Sequence, residues 1–447
     1  MATVHIDYQK PLGPMKIMHS VNNAPVGNRE RGAKNMSNFR YFEEAGIHYC
    51  RNHDASFYSG YEGEYIVDVH RIFRNFDADV NDPASYDFEY TDIYVKNVES
   101  VGAHTFYRLG SRIEHGKEFG TLPPKDNLKW AQICEHIIRH YTEGWADGFT
   151  YDMEYWEIWN EADNLRSCWG GTIEEFYEFF VTVFKYLKTA FPHLKIGGPA
   201  WTCSWRDDYN HALFDRLRGE GMMLDFYSFH GYNHDPHEVW DNAGNAYKLL
   251  CEYGWQDHTE LILNEWNYIQ NWHGDDYIYS IHVIKDNGGF KASSFIAATM
   301  AVGQSSRVDH MMYYDAMPGT WNSMFDTYFL TPMKGYYPFK MFGQMYRMGE
   351  QISAASDDND VYAVAARGDG TMGVMATYFD NDDNAPEKEM TVVLDHLPAD
   401  GMKTVEYYLL DAEHDMVLYR TDRTTAGQLQ TVLPLGLYTT WYIKVTV

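Results

Sequence analysis

Two glutamates stand where apolar runs of the sequence stop, and their spacing suits acid–base chemistry. The segment 155–164 (YWEIWNEADN) is apolar and aromatic until it turns polar at Asn160 and Glu161. The segment 261–267 (LILNEWN) has the same design, with three aliphatic residues shortly before Glu265. Both runs are typical of buried strands, and the strands of a parallel barrel deliver their last residues to one rim. We therefore predict two carboxylates that face each other across a pocket.

Such a pair can cleave a glycosidic bond. One carboxylic acid protonates the departing oxygen, and the second carboxylate attacks or stabilises the anomeric carbon. A structural ion pair would give the same pattern, so the neighbouring residues must separate the two interpretations. Asn160 can hydrogen-bond a sugar hydroxyl. Flat rings that match the C–H faces of a sugar are close in sequence, at Trp156, Trp159, Trp169 and Trp266.

Two other acidic residues, Glu154 and Glu157, lie near the first run and compete for the role of the acid. Glu161 is preferred because it alone combines a strand end with a preceding asparagine. Histidines offer further polar groups; His53 and His230 are favoured for the pocket, whereas His104 and His310 are favoured as core residues. Among loop residues, Trp272 and Trp321 are even candidates for lining a sugar cleft.

The elements that must position these residues alternate between strand and helix from Met15 onward. Eight strands over residues 15–348 predict an α/β fold, a (β/α)8 TIM barrel. The predicted helices are 36–45, 92–101, 130–141, one capped by Thr172, and 336–348. The predicted strands are 16–20, 47–54, 104–110, the run from 155, 194–199, 224–230, the run from 261, and 310–315.

Residues 349–447 have a different texture, with short strand-like runs separated by turn-rich clusters such as 380–384 (DNDDN). This pattern predicts an all-β domain, a C-terminal sandwich. The alternating stretch within residues 1–14 is too short to stand alone, so we expect it to join the sandwich. No low-complexity linker separates the two domains, and we expect them to pack rigidly.

The composition of the chain argues against several classes of function and partner. A formal net charge of −28 disfavours nucleic acid as a partner. No apolar run reaches the length of a membrane span. The five cysteines form no CxxC pair, which argues against a disulfide framework or structural zinc, and no HExxH motif is present. The amino terminus lacks signal-peptide features, so we expect a cytoplasmic protein, or a periplasmic or secreted one if a signal was removed.

Together the motifs resemble glycoside hydrolase family 39. The resemblance covers 157–163 (EIWNEAD), 169–176 (WGGTIEEF) and 195–200 (KIGGPA). It continues at Arg51-Asn52-His53, at the sixth predicted strand through Tyr232, and at 331–336 (TPMKGY). The family includes β-xylosidases and α-L-iduronidases, retaining enzymes with catalytic glutamates on barrel strands four and seven. The resemblance therefore implies the same fold and a retaining hydrolase.

Carried over position by position, the resemblance implies Glu161 as acid/base and Glu265 as nucleophile. It implies that Asn160 holds the sugar 2-hydroxyl, and that pocket polar groups include His53, His230 and Tyr232, with Tyr232 touching the nucleophile. The usual proline after the acid is Ala162 here, and the usual Thr-Glu-Phe around the nucleophile is Asn-Glu-Trp. We expect Trp266 to alter the pocket wall and hence the choice of sugar.

The expected function is that of a retaining exo-glycosidase that removes a terminal xylose- or arabinose-like sugar from oligosaccharides or glycoconjugates. The two carboxyl groups should lie about 5 to 5.5 Å apart, and the charge of Glu265 should raise the pKa of Glu161. Neither metal nor cofactor is required. The alternatives are a uronic-acid glycosidase, which would need a basic residue aimed at the sugar carboxylate, and a non-catalytic carbohydrate-binding protein. The oligomeric state is left open.

Overall fold

The computed structural model describes residues 1–26, 37–53, 66–111, 120–285, 289–399 and 401–447. The chain begins with strand β1 (Ala2–Pro14), which belongs to a second sheet. The next eight strands pair in parallel and close into a barrel in chain order, which confirms the predicted (β/α)8 fold. These strands are β2 (Ile17–Asn22), β3 (Tyr49–Arg51), β4 (His104–Leu109), β5 (Tyr155–Ile158), β6 (Lys195–Trp201), β7 (Phe226–Asn233), β8 (Glu260–Tyr268) and β9 (His310–Tyr313).

Helices lie between successive strands and cover the barrel. Helix α5 begins after Thr172, as predicted, because Thr172 and Glu175 bond each other's backbone N–H groups in a capping box. The first helix begins later than predicted, at Phe39, and Met36 lies outside the described residues. The helices are α1 (Phe39–Ala45), α2 (Val69–Ile72), α3 (Glu89–Ser100), α4 (Asn127–Thr142), α5 (Ile173–Ala190), α6 (Asp207–Gly219), α7 (Glu238–Tyr253), α8 (Gly274–Lys285), α9 (Phe290–Ser305) and α10 (Tyr336–Met348).

The second domain is a nine-stranded sheet in the order β15-β14-β17-β12-β11-β10-β1-β13-β16. Strand β1 lies inside this sheet, antiparallel to β10 and parallel to β13. Strands β10 and β16 are additions to the predicted set. The strands are β10 (Glu350–Ser356), β11 (Val361–Gly368), β12 (Thr371–Tyr378), β13 (Lys388–Asp395), β14 (Lys403–Leu410), β15 (Val417–Thr424), β16 (Leu429–Leu435) and β17 (Thr440–Thr446).

The sheet folds over on itself and forms a sandwich. Strands β14 and β16 are far apart in the sheet order, yet the hydroxyls of Tyr407 and Thr431 lie 3.0 Å apart. In the same way, Nε1 of Trp441 on β17 donates to the carbonyl of Pro434 on β16 at 2.9 Å. Contacts between strands that do not pair require two facing layers, with the apolar core between them.

The barrel and the sandwich share one apolar interface. Helices α9 and α10 pack on strands β11 and β12 of the sandwich. The rings of Phe295 and Phe379 lie 5.5 Å apart, and Ser294 on α9 donates to the carbonyl of Tyr378 at 2.8 Å. Because buried sandwich residues such as Val364 and Met375 belong to the barrel's own hydrophobic cluster, the two domains pack as one body.

Two further sequence features can be checked in the structure. All five cysteines lie within the described residues, and all are free thiols. None of the helices in the described ranges combines the length and the apolar character that a bilayer crossing needs.

The inner position of β1 gives a stability prediction. Ile6 is buried at the centre of the sandwich, whereas its neighbour His5 is exposed. Ile6→Ala should lower the free energy of unfolding by about 2–5 kcal/mol, because a buried aliphatic side chain is replaced by a cavity. The matched variant His5→Ala should change it by less than about 0.5 kcal/mol. Urea unfolding of both variants is the measurement, and equal effects would contradict the inner position of β1.

Candidate active site

The two predicted glutamates meet at the carboxyl-terminal rim of the barrel. Glu161 lies three residues after the end of β5, and Glu265 lies near the end of β8. Three atoms lie within 4.8 Å of one another: one carboxylate oxygen of each glutamate and a ring nitrogen of His230. The other two acidic candidates lie elsewhere: Glu154 is 3.3 Å from Nζ of Lys195 at the start of β6, and Glu157 is fully buried in the barrel. Glu161 is therefore the acid that faces Glu265.

An irregularity in β8 determines where the nucleophile candidate points. The pairing with β7 shifts register between Phe229 and His230, so that His230 lies opposite Glu265. The side chains of two successive residues then point into the barrel. Asn264 donates a hydrogen bond to Glu157. Glu265, the next residue, accepts a hydrogen bond from Arg51. An extra residue in one strand is a β-bulge, a feature that commonly re-aims a side chain beside an active site.

One buried cation holds the site together. Arg51, at the end of β3, donates from Nη1 to Oε1 of Glu265 at 2.8 Å and from Nε to Oε2 of Glu157 at 2.7 Å. It also donates to the side-chain oxygens of Asn22 and Asn160, at 3.0 and 2.7 Å. Arg51, Glu157 and Glu265 are all buried, so these charges interact in a medium of low polarity.

Two further donors surround the carboxylate of Glu265. The Tyr232 hydroxyl donates to Oε2 at 2.7 Å, and Nε2 of His53 lies 3.0 Å from Oε1. Burial alone would raise the pKa of Glu265, but the charges of His230, His53 and Arg51 and the hydrogen bond from His53 hold that pKa well below its usual range. Burial and the charge of Glu265 raise the pKa of Tyr232, so its hydroxyl stays a donor. Glu265 is therefore an ionised, accepting group.

Glu161 has a different environment. Its Oε1 lies 2.7 Å from Nδ1 of His230, and its Oε2 lies 3.8 Å from the thiol of Cys168. The backbone of Glu161 has a φ of 45°, in the left-handed region, and its N–H donates to the carbonyl of Ala200 on β6. This turn brings the side chain back over the barrel, where it remains partly exposed. The two carboxylates thus differ in burial and in their hydrogen-bond partners.

Aromatic side chains form a wall beside Glu265. The Tyr232 ring lies 5.2 Å from Trp272 and 6.1 Å from Trp321, and these two tryptophans are 5.8 Å apart. Tyr314, after β9, lies 5.0 Å from His53 and 6.2 Å from Trp321. Trp272 is 48% exposed, so it presents a ring face to solvent at the rim. The structure therefore gathers the predicted loop tryptophans, His53 and Tyr232 on one side of the pocket.

The prediction that Trp266 forms part of the pocket wall is wrong. Its ring is 1% exposed, 5.2 Å from Tyr313 and 6.5 Å from Phe295 of α9, so it lies between the barrel and its helices. The bulge in β8 accounts for this, because Glu265 points inward and the next side chain must point outward. The other motif tryptophans are also buried in the main hydrophobic core and offer no face to a sugar: Trp156, Trp159 and Trp169.

The sequence alone does not predict the role of Arg51 or of its second carboxylate partner, Glu157. Arg51 lies directly before Asn52 and His53, in a stretch that resembles a motif of the family. The available signal in the sequence was a charged residue at the end of an apolar strand, which indicates a side chain at the rim of the barrel. Its four partners lie on β2, on β8, on β5 and just after β5, and only the closed barrel brings them together.

The same atoms have the geometry of a possible cation site. Glu161, His230 and Glu265 each offer one ligand atom, and these are the three atoms within 4.8 Å of one another. Two carboxylates and one imidazole are acceptable ligands for a divalent ion. However, Arg51 and His53 already supply positive charge and donors to Glu265, so the carboxylate needs no further cation for its charge to be balanced.

Comparisons with known proteins identify a family and related enzymes. Residues 4–242 match the sequence profile described as glycosyl hydrolases family 39. A β-xylosidase from Caldicellulosiruptor saccharolyticus is 26% identical over 246 residues, which is 52% of this chain and 46% of that protein. A β-xylosidase from Geobacillus stearothermophilus is 25% identical over 212 residues, 44% of this chain and 38% of that protein. The matches thus span less than half the length of these relatives.

Solved structures share the fold over the whole chain. A glucosidase from Croceicoccus marinus superposes with a TM-score of 0.82 and 22% identity, covering 100% of this chain and 99% of the other. A family 39 enzyme from Xanthomonas axonopodis pv. citri gives a TM-score of 0.72 at 13% identity, covering 99% and 97%.

The fold and the site define a barrel protein that carries a close pair of glutamates at its carboxyl-terminal rim. Because the matched profile covers more than half of the residues, this chain belongs to glycosyl hydrolase family 39.

The role of Arg51 gives a prediction about stability. Arg51→Leu should lower the free energy of unfolding by about 3–5 kcal/mol at neutral pH, because two buried carboxylates lose their shared cation. The deficit should shrink as the pH falls, since in the variant the carboxylates can take up protons and no longer need a counter-charge. Urea unfolding at several pH values tests this.

A surface ion pair supplies the control. Arg74 lies 2.9 Å from Asp87, with side chains 57% and 38% exposed. Arg74→Leu should cost less than about 1 kcal/mol at every pH. If Arg51→Leu were no more costly than this control, the buried cation would not stabilise the site.

Proposed function

We propose that the protein is a retaining glycosidase that removes a terminal xylose- or arabinose-like sugar from oligosaccharides or glycoconjugates by double displacement. The observation that carries the proposal is an ionised Glu265 with an oxygen within 4.8 Å of an oxygen of Glu161. Retaining enzymes have their carboxyl groups about 5–5.5 Å apart, whereas inverting enzymes need about 6.5–9.5 Å for a water molecule. The close spacing supports retention.

In the first step, Glu265 attacks the anomeric carbon while Glu161 protonates the departing oxygen. Nε2 of His230 has no hydrogen-bond partner among the described residues, whereas Nδ1 lies 2.7 Å from Oε1 of Glu161, so Nδ1 is the ring nitrogen that donates to this carboxyl group. Oε1 of Glu161 then accepts from His230, and the acid proton belongs on Oε2. The carbon–oxygen bond to the leaving group breaks as the ester bond to Glu265 forms.

In the second step, water replaces the enzyme on the sugar. Forming the ester neutralises Glu265, so Glu161 is no longer near a second negative charge and can act as a base toward water. Arg51 and Tyr232 then stabilise the carboxylate as it leaves, because they donate to its two oxygens. Each carboxylate returns to its first protonation state at the end of the cycle.

The pocket supports action on a terminal sugar. The side-chain oxygen of Asn160 accepts from Arg51, which leaves the amide N–H groups for a sugar hydroxyl. The wall made by Tyr232, Trp272 and Trp321 supplies apolar faces for a pyranose ring. Both curated relatives described above are β-xylosidases, which supports xylose as the first sugar to test.

The alternatives have less support. A uronic-acid glycosidase needs a cation aimed at the sugar carboxylate, but four N–H groups of Arg51 already donate within the protein. No other arginine or lysine contacts Glu161 or Glu265 among the described residues. A protein that only binds sugar would not need an ionised nucleophile beside a separate acid.

The experiment that tests the proposal is hydrolysis of a panel of aryl glycosides. We expect turnover of the β-xyloside or the α-arabinoside, with β-galactoside, β-glucoside and α-iduronide as comparisons. Glu265→Ala should reduce kcat by about a thousandfold or more, because the covalent step is lost. The exposed variant Glu413→Ala serves as control and should keep full activity. Full activity in Glu265→Ala would refute the nucleophile assignment.

The acid limb of the pH profile should report Glu265. As the pH falls through its pKa the nucleophile takes up a proton and kcat/KM decreases, so the wild-type limb should lie well below pH 4.5. His53→Phe removes a hydrogen bond and a charge that favour the ionised form, so the limb should move to higher pH.

His258→Phe is the matched control, since His258 is half exposed and lies 3.7 Å from Asp225, far from the rim in the strand register. Its acid limb should equal that of the wild type. An unmoved limb in His53→Phe would show that His53 does not set the protonation of Glu265.

A further inference from the structure

A turn of the sandwich reaches the barrel where the strand of the nucleophile ends. Asn381 lies in the turn-rich segment 380–384, after β12. Its Oδ1 accepts from the Tyr268 hydroxyl at 2.6 Å, and its Nδ2 donates to Oε1 of Gln270 at 2.7 Å. Tyr268 is the last residue of β8, and Gln270 follows it closely. The Asn381 side chain therefore forms hydrogen bonds with the last residue of β8 and with a residue just beyond the strand.

A buried lysine fixes this turn against the barrel. Nζ of Lys291, on α9, donates at 2.8 Å to the carbonyl of Asn381, to Oδ1 of Asp383 and to the Tyr279 hydroxyl. The Lys291 side chain is only 8% exposed, and burial of an ammonium group is tolerated when its three donors are satisfied. The Tyr438 hydroxyl also donates to Asp383. The turn thus has a defined position relative to β8.

The segment that this turn holds carries a tryptophan of the pocket wall. Residues 269–273 join β8 to α8, and the N–H of Gln270 donates to Oγ of Ser280 at 2.8 Å. Trp272, two residues later, is half exposed and packs edge-on against Tyr232, at 5.2 Å and 74°. Trp272 packs against the rings of Tyr232, Tyr277 and Trp321, and its side chain forms no hydrogen bond among the described residues, so its place depends on how residues 269–273 leave the strand.

We propose that Asn381 is a positioning residue for sugar recognition. By holding Tyr268 and Gln270 it sets the path of residues 269–273, and so the place of Trp272 in the wall beside Glu265. The sandwich then takes part in substrate selection although it contributes no group to the reacting atoms. This inference rests on the proposed glycosidase function, and it adds a determinant of substrate selection that lies outside the barrel.

The first test separates binding from chemistry. Asn381→Ala loses two hydrogen bonds, so we expect KM for the aryl β-xyloside, or for whichever glycoside of the panel is hydrolysed, to rise roughly tenfold. kcat should stay within about twofold, because the partners of Glu265 are untouched. Asn384→Ala, in the same segment, is the control, since among the residues that the structure describes the Asn384 side chain bonds only Asp382 of its own turn. A fall in kcat with unchanged KM would overturn the proposal.

A double-mutant cycle tests whether Asn381 acts through Trp272. Trp272→Ala should raise KM, and adding Asn381→Ala should raise it no further, because the group that was positioned is already gone. Additive effects would overturn the proposal. If Asn381→Ala does not fold, Gln270→Leu removes one of the same hydrogen bonds from the barrel side and enters the cycle instead, with the same two outcomes.

A measurement without turnover keeps this inference separate from the proposed function. Acrylamide quenching of tryptophan fluorescence is measured in pairs of proteins that differ only by Trp272→Phe. The difference between the two members of a pair is the signal of Trp272. That signal should become more quenchable in Asn381→Ala and stay unchanged in Asn384→Ala. If no glycoside is hydrolysed but quenching changes as expected, the proposed function fails and the positioning contact stands. Unchanged quenching in Asn381→Ala would refute the positioning contact itself.

Discussion

The candidate active site depends on the interaction of one buried guanidinium group with two buried carboxylates. Arg51 bonds both Glu157 and Glu265, and without these two partners its charge could not be buried in a medium of low polarity. The planar group also donates to Asn22 and Asn160, so it sets distances among three strands at once. The charge balance of Glu265 and the position of the Asn160 side chain therefore depend on the same guanidinium group.

Backbone irregularities at two strand ends convert a regular barrel into this site. In a regular strand Asn264 and Glu265 would point to opposite faces, but the bulge in β8 aims both inward. After β5, positive φ angles at Trp159 and Glu161 send the tryptophan into the core and the glutamate over the barrel. The sandwich adds to this arrangement, because Asn381 bonds the end of β8.

Much of the fold could be predicted from the sequence, because strand–helix alternation and capping are local signals. Thr172 and the bounds of α10 are examples. Helix α9 could not be predicted, because it is buried on nearly every side between the barrel and the sandwich and has no distinct polar face to give a period. The orientation of Trp266 depends on a bulge, and the contacts of Arg51 involve partners distant in the chain, so neither could be predicted from local sequence. The position of Glu161 and Glu265 could be predicted, whereas the contacts that tune them depend on tertiary structure.

The central claim is that Glu265 forms a covalent bond to the sugar while Glu161 handles the proton. The most direct measurement is peptide mass spectrometry after incubation with an activated 2-deoxy-2-fluoro-xyloside. Its fluorine slows both steps, but its good leaving group keeps the first step fast enough for the glycosyl-enzyme to accumulate. We expect one fluorosugar per chain, on the peptide that contains Glu265, and none in Glu265→Ala. A label on another carboxylate, or hydrolysis of the panel substrates with inversion and no label, would contradict the account.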